Sequence, residues 1–154
     1  AKEIKAPNQF IYDENNGYVI FLAGSIEMGT AENWQTRITE KFKDIYCVIL
    51  NPRRDDWNSS WVQSIDNPQF REQVQWELEA MEKSGAIAMY FDPKTKSPIS
   101  LLELGLYAKS GKLIVYCPEG FWRKGNVDIV CRRYGVVQCQ SMDDFILTIK
   151  EKLK

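Results

Sequence analysis

There is no histidine among the 154 residues. Its absence excludes a Ser-His-Asp triad, His-ligated zinc and imidazole acid–base work in cis, so any proton transfer falls to carboxylates, Tyr, Lys, Cys or water. The four cysteines, Cys47, Cys117, Cys131 and Cys139, form no Cys-x-x-Cys pair and read as reduced core thiols. Neither sign of charge is in excess: 20 basic residues face 21 acidic ones, which leaves no electropositive footprint for nucleic acid or an anionic membrane surface. No apolar run approaches the length of a membrane span, and the charged opening Ala1-Lys2-Glu3-Ile4-Lys5 is unlike a signal peptide, so a cytoplasmic protein is expected. Repeats and low-complexity tracts are also missing.

What is present suits one globular domain over 1–154, with 1–16 as a polar N-terminal extension: 44% of residues are hydrophobic and 12% aromatic. Tyr18-Val19-Ile20-Phe21-Leu22-Ala23 is a continuous run of β-formers, typical of a strand buried on both faces. Similar runs recur at 46–50, 86–91 and 113–117, with a fifth, shorter one at 135–137. A small edge strand at Phe10-Ile11-Tyr12 is a further option. Helical spacing separates them. Trp34, Ile38 and Phe42 mark a helix over 30–43 with Thr30 as N-cap; Phe70, Val74, Leu78 and Met81 form the apolar stripe of one from Asn67 or Pro68 to Lys83. A third carries Glu103, and a last one runs from about Asp143 to Lys152. Alternating strands and helices of this kind predict a five-stranded parallel sheet sandwiched by helices, flavodoxin-like or Rossmann-like. Ligands in such sheets bind beyond the carboxyl ends of the strands, which singles out 24–30, 51–61, 92–103 and 118–128.

The loop after the first long strand, Gly24-Ser25-Ile26-Glu27-Met28-Gly29, keeps only the outer glycines of Gly-x-Gly-x-x-Gly, and no Gly-Lys-Ser/Thr follows, so dinucleotide, flavin and P-loop sites fit poorly. Attention passes to a carboxylate. In Ser97-Pro98-Ile99-Ser100-Leu101-Leu102-Glu103-Leu104-Gly105-Leu106-Tyr107-Ala108, Glu103 has Ile99, Ser100, Leu106 and Tyr107 as helical neighbours, an apolar face expected to be buried. A buried carboxylate with no partner on its own helix has a raised pKa or a chemical task. The plainer alternative is an acid stabilised by the positive end of a helix that Pro98 begins.

Ile20-Phe21-Leu22-Ala23-Gly24-Ser25-Ile26, Asn51-Pro52-Arg53-Arg54-Asp55-Asp56-Trp57, Gln75-Trp76-Glu77-Leu78, Leu102-Glu103-Leu104-Gly105 and Gly125-Asn126-Val127, in this order, resemble the nucleoside 2-deoxyribosyltransferase-like family from about Tyr18 to Gly135. The resemblance implies that Glu103, in the Glu-Leu-Gly motif, attacks the anomeric carbon of a deoxyribosyl group. It implies a second acid from the preceding helix, usually aspartate and here Glu77, whose plainer reading is a helix-edge acid. It implies a nucleobase pocket after the second long strand, where Arg53, Asp55 and Asp56 meet base edges and Trp57 stacks; a self-paired surface loop is the alternative. It further implies a homo-oligomer with shared sites, Asn126 serving a neighbouring subunit's site. The expected ligand is a nucleoside or nucleotide, with no cofactor and no metal. In a related branch, the 2′-deoxynucleoside 5′-monophosphate N-hydrolases, the loop reads Gly-Ser-Ile and a serine lies six positions before the glutamate; Gly24-Ser25-Ile26 and Ser97 match both. A transferase or hydrolase of a deoxynucleoside is thus the first reading, the monophosphate hydrolase the second, and a non-catalytic nucleotide-binding module the third.

Overall fold

The computed structural model describes residues 1–10, 18–26, 33–55 and 60–153. In chain order these form β1 (Lys2–Lys5), β2 (Tyr18–Gly24), α1 (Trp34–Lys41), β3 (Cys47–Asn51), α2 (Pro68–Lys83), β4 (Ala86–Tyr90), α3 (Pro98–Tyr107), β5 (Leu113–Tyr116), α4 (Lys124–Tyr134), β6 (Val137–Cys139) and α5 (Met142–Lys152). Every strand pairing is parallel, and the spatial order is β1-β3-β2-β4-β5-β6.

The parallel sandwich is as expected, but the sheet has six strands rather than five. The additional one is β1, drawn from the polar opening residues and paired with β3 from Lys2↔Val48 to Lys5↔Asn51. An outer strand needs little apolar surface because one side stays solvated, so Lys-Glu-Ile-Lys carries no strand signal. The option at 10–12 falls largely outside the described residues, as does Thr30. The helix read from Thr30 begins at Trp34, where the Asn33 side chain accepts the Thr36 N–H at 3.2 Å. A second element that the spacing did not announce is α4, which begins within the strand exit at 118–128; Val127 and Cys131 anchor it in the core.

Strand alternation sorts the core into two faces. Phe21, Leu50, Ile87, Met89 and Val115 pack with Trp76, Ala80 and Met81 of α2, Leu104 of α3 and Val127 of α4. Ile20, Leu22, Ile49, Ala88 and Ile114 pack with Trp34 and Ile38 of α1 and Phe145 and Ile149 of α5. All four cysteines are buried and free, and burial pushes Cys117 up to about 12 and Cys131 up to about 11, so they are packing groups. Among the described residues no helix is long and apolar enough to cross a membrane.

The chain runs outward from β2 to β3 and then crosses back to β4 on the other side of β2. This reversal opens a crevice beyond the carboxyl ends of β2 and β4, the place where open parallel sheets hold ligands. Gly24 closes β2 there with φ +131°, and a Cβ at this position would lie 2.2 Å from the Tyr90 carbonyl oxygen of β4, so only glycine lets the strands approach this closely.

Candidate active site

A cavity of about 580 Å³ occupies that crevice. Gly24 and Ile26 after β2, Pro52 to Asp55 after β3, one side of α2 and the first turns of α3 line it. Three of the four polar strand exits thus converge; residues 118–128 line none of it.

Its acidic wall is a pair of glutamates from two helices. Glu103 on α3 is buried, only 7% exposed, and Glu77 on α2 is partly buried; both line the cavity. Desolvation raises the Glu103 pKa well above the usual carboxylate range, and the charge of Glu77 raises it further. Desolvation also pushes Glu77 up, to about 7, against the lowering effect of a hydrogen bond from Gln73. Burial and their mutual charge thus both push the two carboxyls toward the protonated form. Glu103 is the sixth residue of α3, beyond the first turn where the helix dipole acts, and its pKa moves up rather than down, so the reading as an acid stabilised by the helix start fails.

The apolar face expected around Glu103 turns out otherwise. Ile99 and Leu106 are 57% and 55% exposed, while Ser100, Glu103 and Leu104 are the buried residues of α3. The carboxylate is buried because α3 meets α2 across the cavity, and the neighbouring apolar side chains are left at the cavity mouth. The α2 stripe behaves alike: Phe70, Val74 and Leu78 line the cavity, whereas Gln73, Trp76, Ala80 and Met81 are the buried ones. Glu77 is thus not an ordinary helix-edge acid, since the edge it occupies borders a cavity.

Beside the start of α3, where Ser97 lines the cavity, lies a cluster of hydroxyls. Ser25 Oγ accepts the Asp92 N–H at 2.8 Å and stands 3.0 Å from Thr95 Oγ1 and 2.5 Å from Ser97 Oγ; Thr95 and Ser97 are 2.7 Å apart. All three residues are buried. Ser97 adopts φ +46°, the left-handed region, immediately before Pro98 starts α3, and its side chain does not cap the helix. Ser25 and Ser97, 72 residues apart in sequence, are thus neighbours.

Among its described residues, the segment after β3 bonds both to neighbouring elements and within itself. Arg53 is partly buried and its Nε donates to Gln35 Oε1 at 3.2 Å. Arg54, which the motif reading passed over, has a side chain only 5% exposed, pairs with Glu72 at 3.3 Å and stacks its guanidinium over the Trp61 ring at 4.9 Å. Asp55, at the cavity rim, pairs with Lys5 at 3.1 Å. Asp56 and Trp57 lie outside the described residues. Asn126 is exposed on α4 and is not among the residues lining the cavity. Sequence reasoning also missed Thr95 and Gln73. Only Gln73 had a usable signal, its place one helical turn before Glu77.

The model of a protein family described as nucleoside 2-deoxyribosyltransferase like matches residues 17–121, which is more than half of the chain. The protein belongs to that family. Membership supports a role in processing nucleosides or nucleotides. The matched span includes β2 to β5 and every described residue of the cavity wall. Comparison with curated proteins returns no match.

Proposed function

We propose that the protein cleaves the N-glycosidic bond of a deoxynucleoside through a covalent intermediate on Glu103, passing the sugar to another base or to water. The observation that carries this reading is the pair of carboxyls in one cavity, both with raised affinity for protons, in a chain of this family. In the reactive form the pair holds one proton, on Glu77. Glu103 attacks C1′ as carboxylate; the C1′–N bond breaks with its electrons going to the base, and Glu77 protonates the leaving nitrogen. Glu103 is the group pushed up the more strongly in the empty site, so this form is reached when the partial positive charge at C1′ of a bound sugar favours ionised Glu103 before attack and leaves the proton on Glu77. An incoming base or water then forms the new bond to C1′, releasing Glu103 and returning its proton to Glu77. Phe70, Val74 and Leu78 offer the base an apolar wall beside Arg53 and Asp55; in this reading Arg53 and Asp55, with Asp56 and Trp57 that follow them in sequence, supply edge contacts and stacking.

Oligomerisation belongs to this proposal. Asn126 can serve a site only in another copy of the chain, and the exposed Ile99, Leu102 and Leu106 give such a copy apolar surface next to the cavity mouth. Mixing inactive Glu103→Ala and Asn126→Ala proteins is expected to restore part of the activity.

A second reading, hydrolysis of a 2′-deoxynucleoside 5′-monophosphate, is favoured by one observation. Ser25 and Ser97 meet at the start of α3, where no acidic side chain lines the cavity among the described residues, so a phosphate would meet hydroxyls and not a carboxylate. The test is base release from a deoxynucleoside and from its monophosphate, with and without a second free base, followed by intact-mass measurement. A sugar adduct lost in Glu103→Gln supports the covalent reading. Preference for the monophosphate without base exchange selects the hydrolase, and Ser97→Asp should then abolish activity. Binding without base release or adduct would leave a nucleotide-binding module.

A further inference from the structure

Gln73 has an unusual balance of hydrogen bonds for a residue only 6% exposed. Its Nε2 donates to the Pro52 carbonyl at 2.8 Å and to Glu77 Oε1 at 3.1 Å, while its own Oε1 is buried without a donor. Turning the amide over would set its oxygen against two acceptors, so this orientation is fixed by its partners. The orphaned acceptor is destabilising, and a residue serving packing alone would be better replaced by an apolar side chain of the same length.

We infer that Gln73 is a positioning residue for the acid pair: it clamps Glu77 Oε1 to the loop leaving β3, so that a proton on Glu77 must sit on Oε2. The reason is geometric. An oxygen that accepts from an amide N–H cannot direct its own proton along the same line, whereas among the described residues no group is bonded to Oε2 in a residue that lines the cavity. Gln73 and Glu77 are one turn apart on α2, and Pro52 comes from the segment that also carries Arg53. The same amide thereby keeps the acid in register with the wall on which the base would rest.

The inference rests on the reading of Glu77 as proton donor, and the experiment separates the two. Gln73→Met keeps length and removes both donors and the orphaned acceptor. Losing a bond that favours ionised Glu77 should move its carboxyl 13C titration midpoint upward. It should also lower kcat for base release at least tenfold with little change in KM, and shift the alkaline limb of the kcat profile in the same direction. An unmoved midpoint overturns the clamp whether or not the protein turns over. A moved midpoint with unchanged kcat overturns the positioning role. If the wild-type protein releases no base, the function fails and with it the catalytic role, while the titration still judges the clamp. Gln73→Asn, too short to span Pro52 and Glu77, is expected to shift the midpoint similarly and serves if the methionine variant does not fold.

Discussion

The hydroxyl cluster at the start of α3 (the hydroxyl end) and the glutamate pair (the carboxyl end) hold polar groups under opposite conditions. At the hydroxyl end, Ser25, Thr95 and Ser97 bond one another and the Asp92 amide at 2.5 to 3.0 Å, so their burial is compensated within the protein. At the carboxyl end, Glu77 has one hydrogen bond among the described residues, from Gln73, and Glu103 is buried against its charge. The hydroxyl end closes the junction of β2 and β4, whereas the carboxyl end is held in an arrangement that costs stability at neutral pH. Polar groups placed at such a cost are where chemistry is to be sought.

Breaking the carboxyl end has the largest expected effect. Glu103→Gln keeps the side-chain shape and removes the nucleophile, so base release should fall by at least about a thousandfold. The same substitution removes a buried charge repulsion, so urea unfolding at pH 8 should show it no less stable than the parent. Unchanged turnover would remove Glu103 from the chemistry.

At the hydroxyl end the backbone is more vulnerable than the side chains. Gly24→Ala forces a methyl group toward the Tyr90 carbonyl at an unfavourable φ and should destabilise the fold by about 3 kcal/mol or more. A urea midpoint equal to that of the parent would contradict the close approach of β2 and β4.

The pH dependence of stability distinguishes the ends without disrupting either. Both glutamates bind protons more tightly folded than unfolded. Their contribution is therefore fully present below the unfolded value near 4.5 and is lost as pH rises through the folded value, about 7 for Glu77. Glu77→Gln should flatten the decline between pH 4.5 and 7.5, an effect on the order of 2–3 kcal/mol measured by urea unfolding at both limits. An identical decline in parent and variant would show that the carboxyls are not strained.

The smallest effect is expected from Ser25→Ala, which leaves the Asp92 amide without its acceptor at a cost of about 1–2 kcal/mol, while Thr95 keeps the Asp92 carbonyl. Its loss of stability should be the same at pH 5 and pH 7.5, because no charge changes.

Much of the layout was legible in particular residues. The continuous apolar runs from Tyr18, Cys47, Ala86 and Leu113 are strands because only a sheet covered on both faces buries every residue of such a run. Pro68 and Pro98 both start their helices as their fixed φ demands. Less visible were β1, whose pairing depends on the edge of β3, and α4, which buries chiefly Val127 and Cys131.

The sequence by itself determined a parallel α/β sandwich and a glutamate set among apolar residues, because alternation, helical spacing and proline geometry are local and leave a mark on the chain. Tertiary structure alone decided that Phe70, Val74 and Leu78 face a cavity, that Ser25 meets Ser97, and that Gln73 reaches both Pro52 and Glu77. It also decided the proton affinity of the two glutamates, since the charge of one acts on the other only after α2 and α3 are packed beside the same crevice. Helical periodicity identifies an apolar face without identifying what covers it, and a carboxyl group's pKa depends on the groups and solvent around it, which packing supplies.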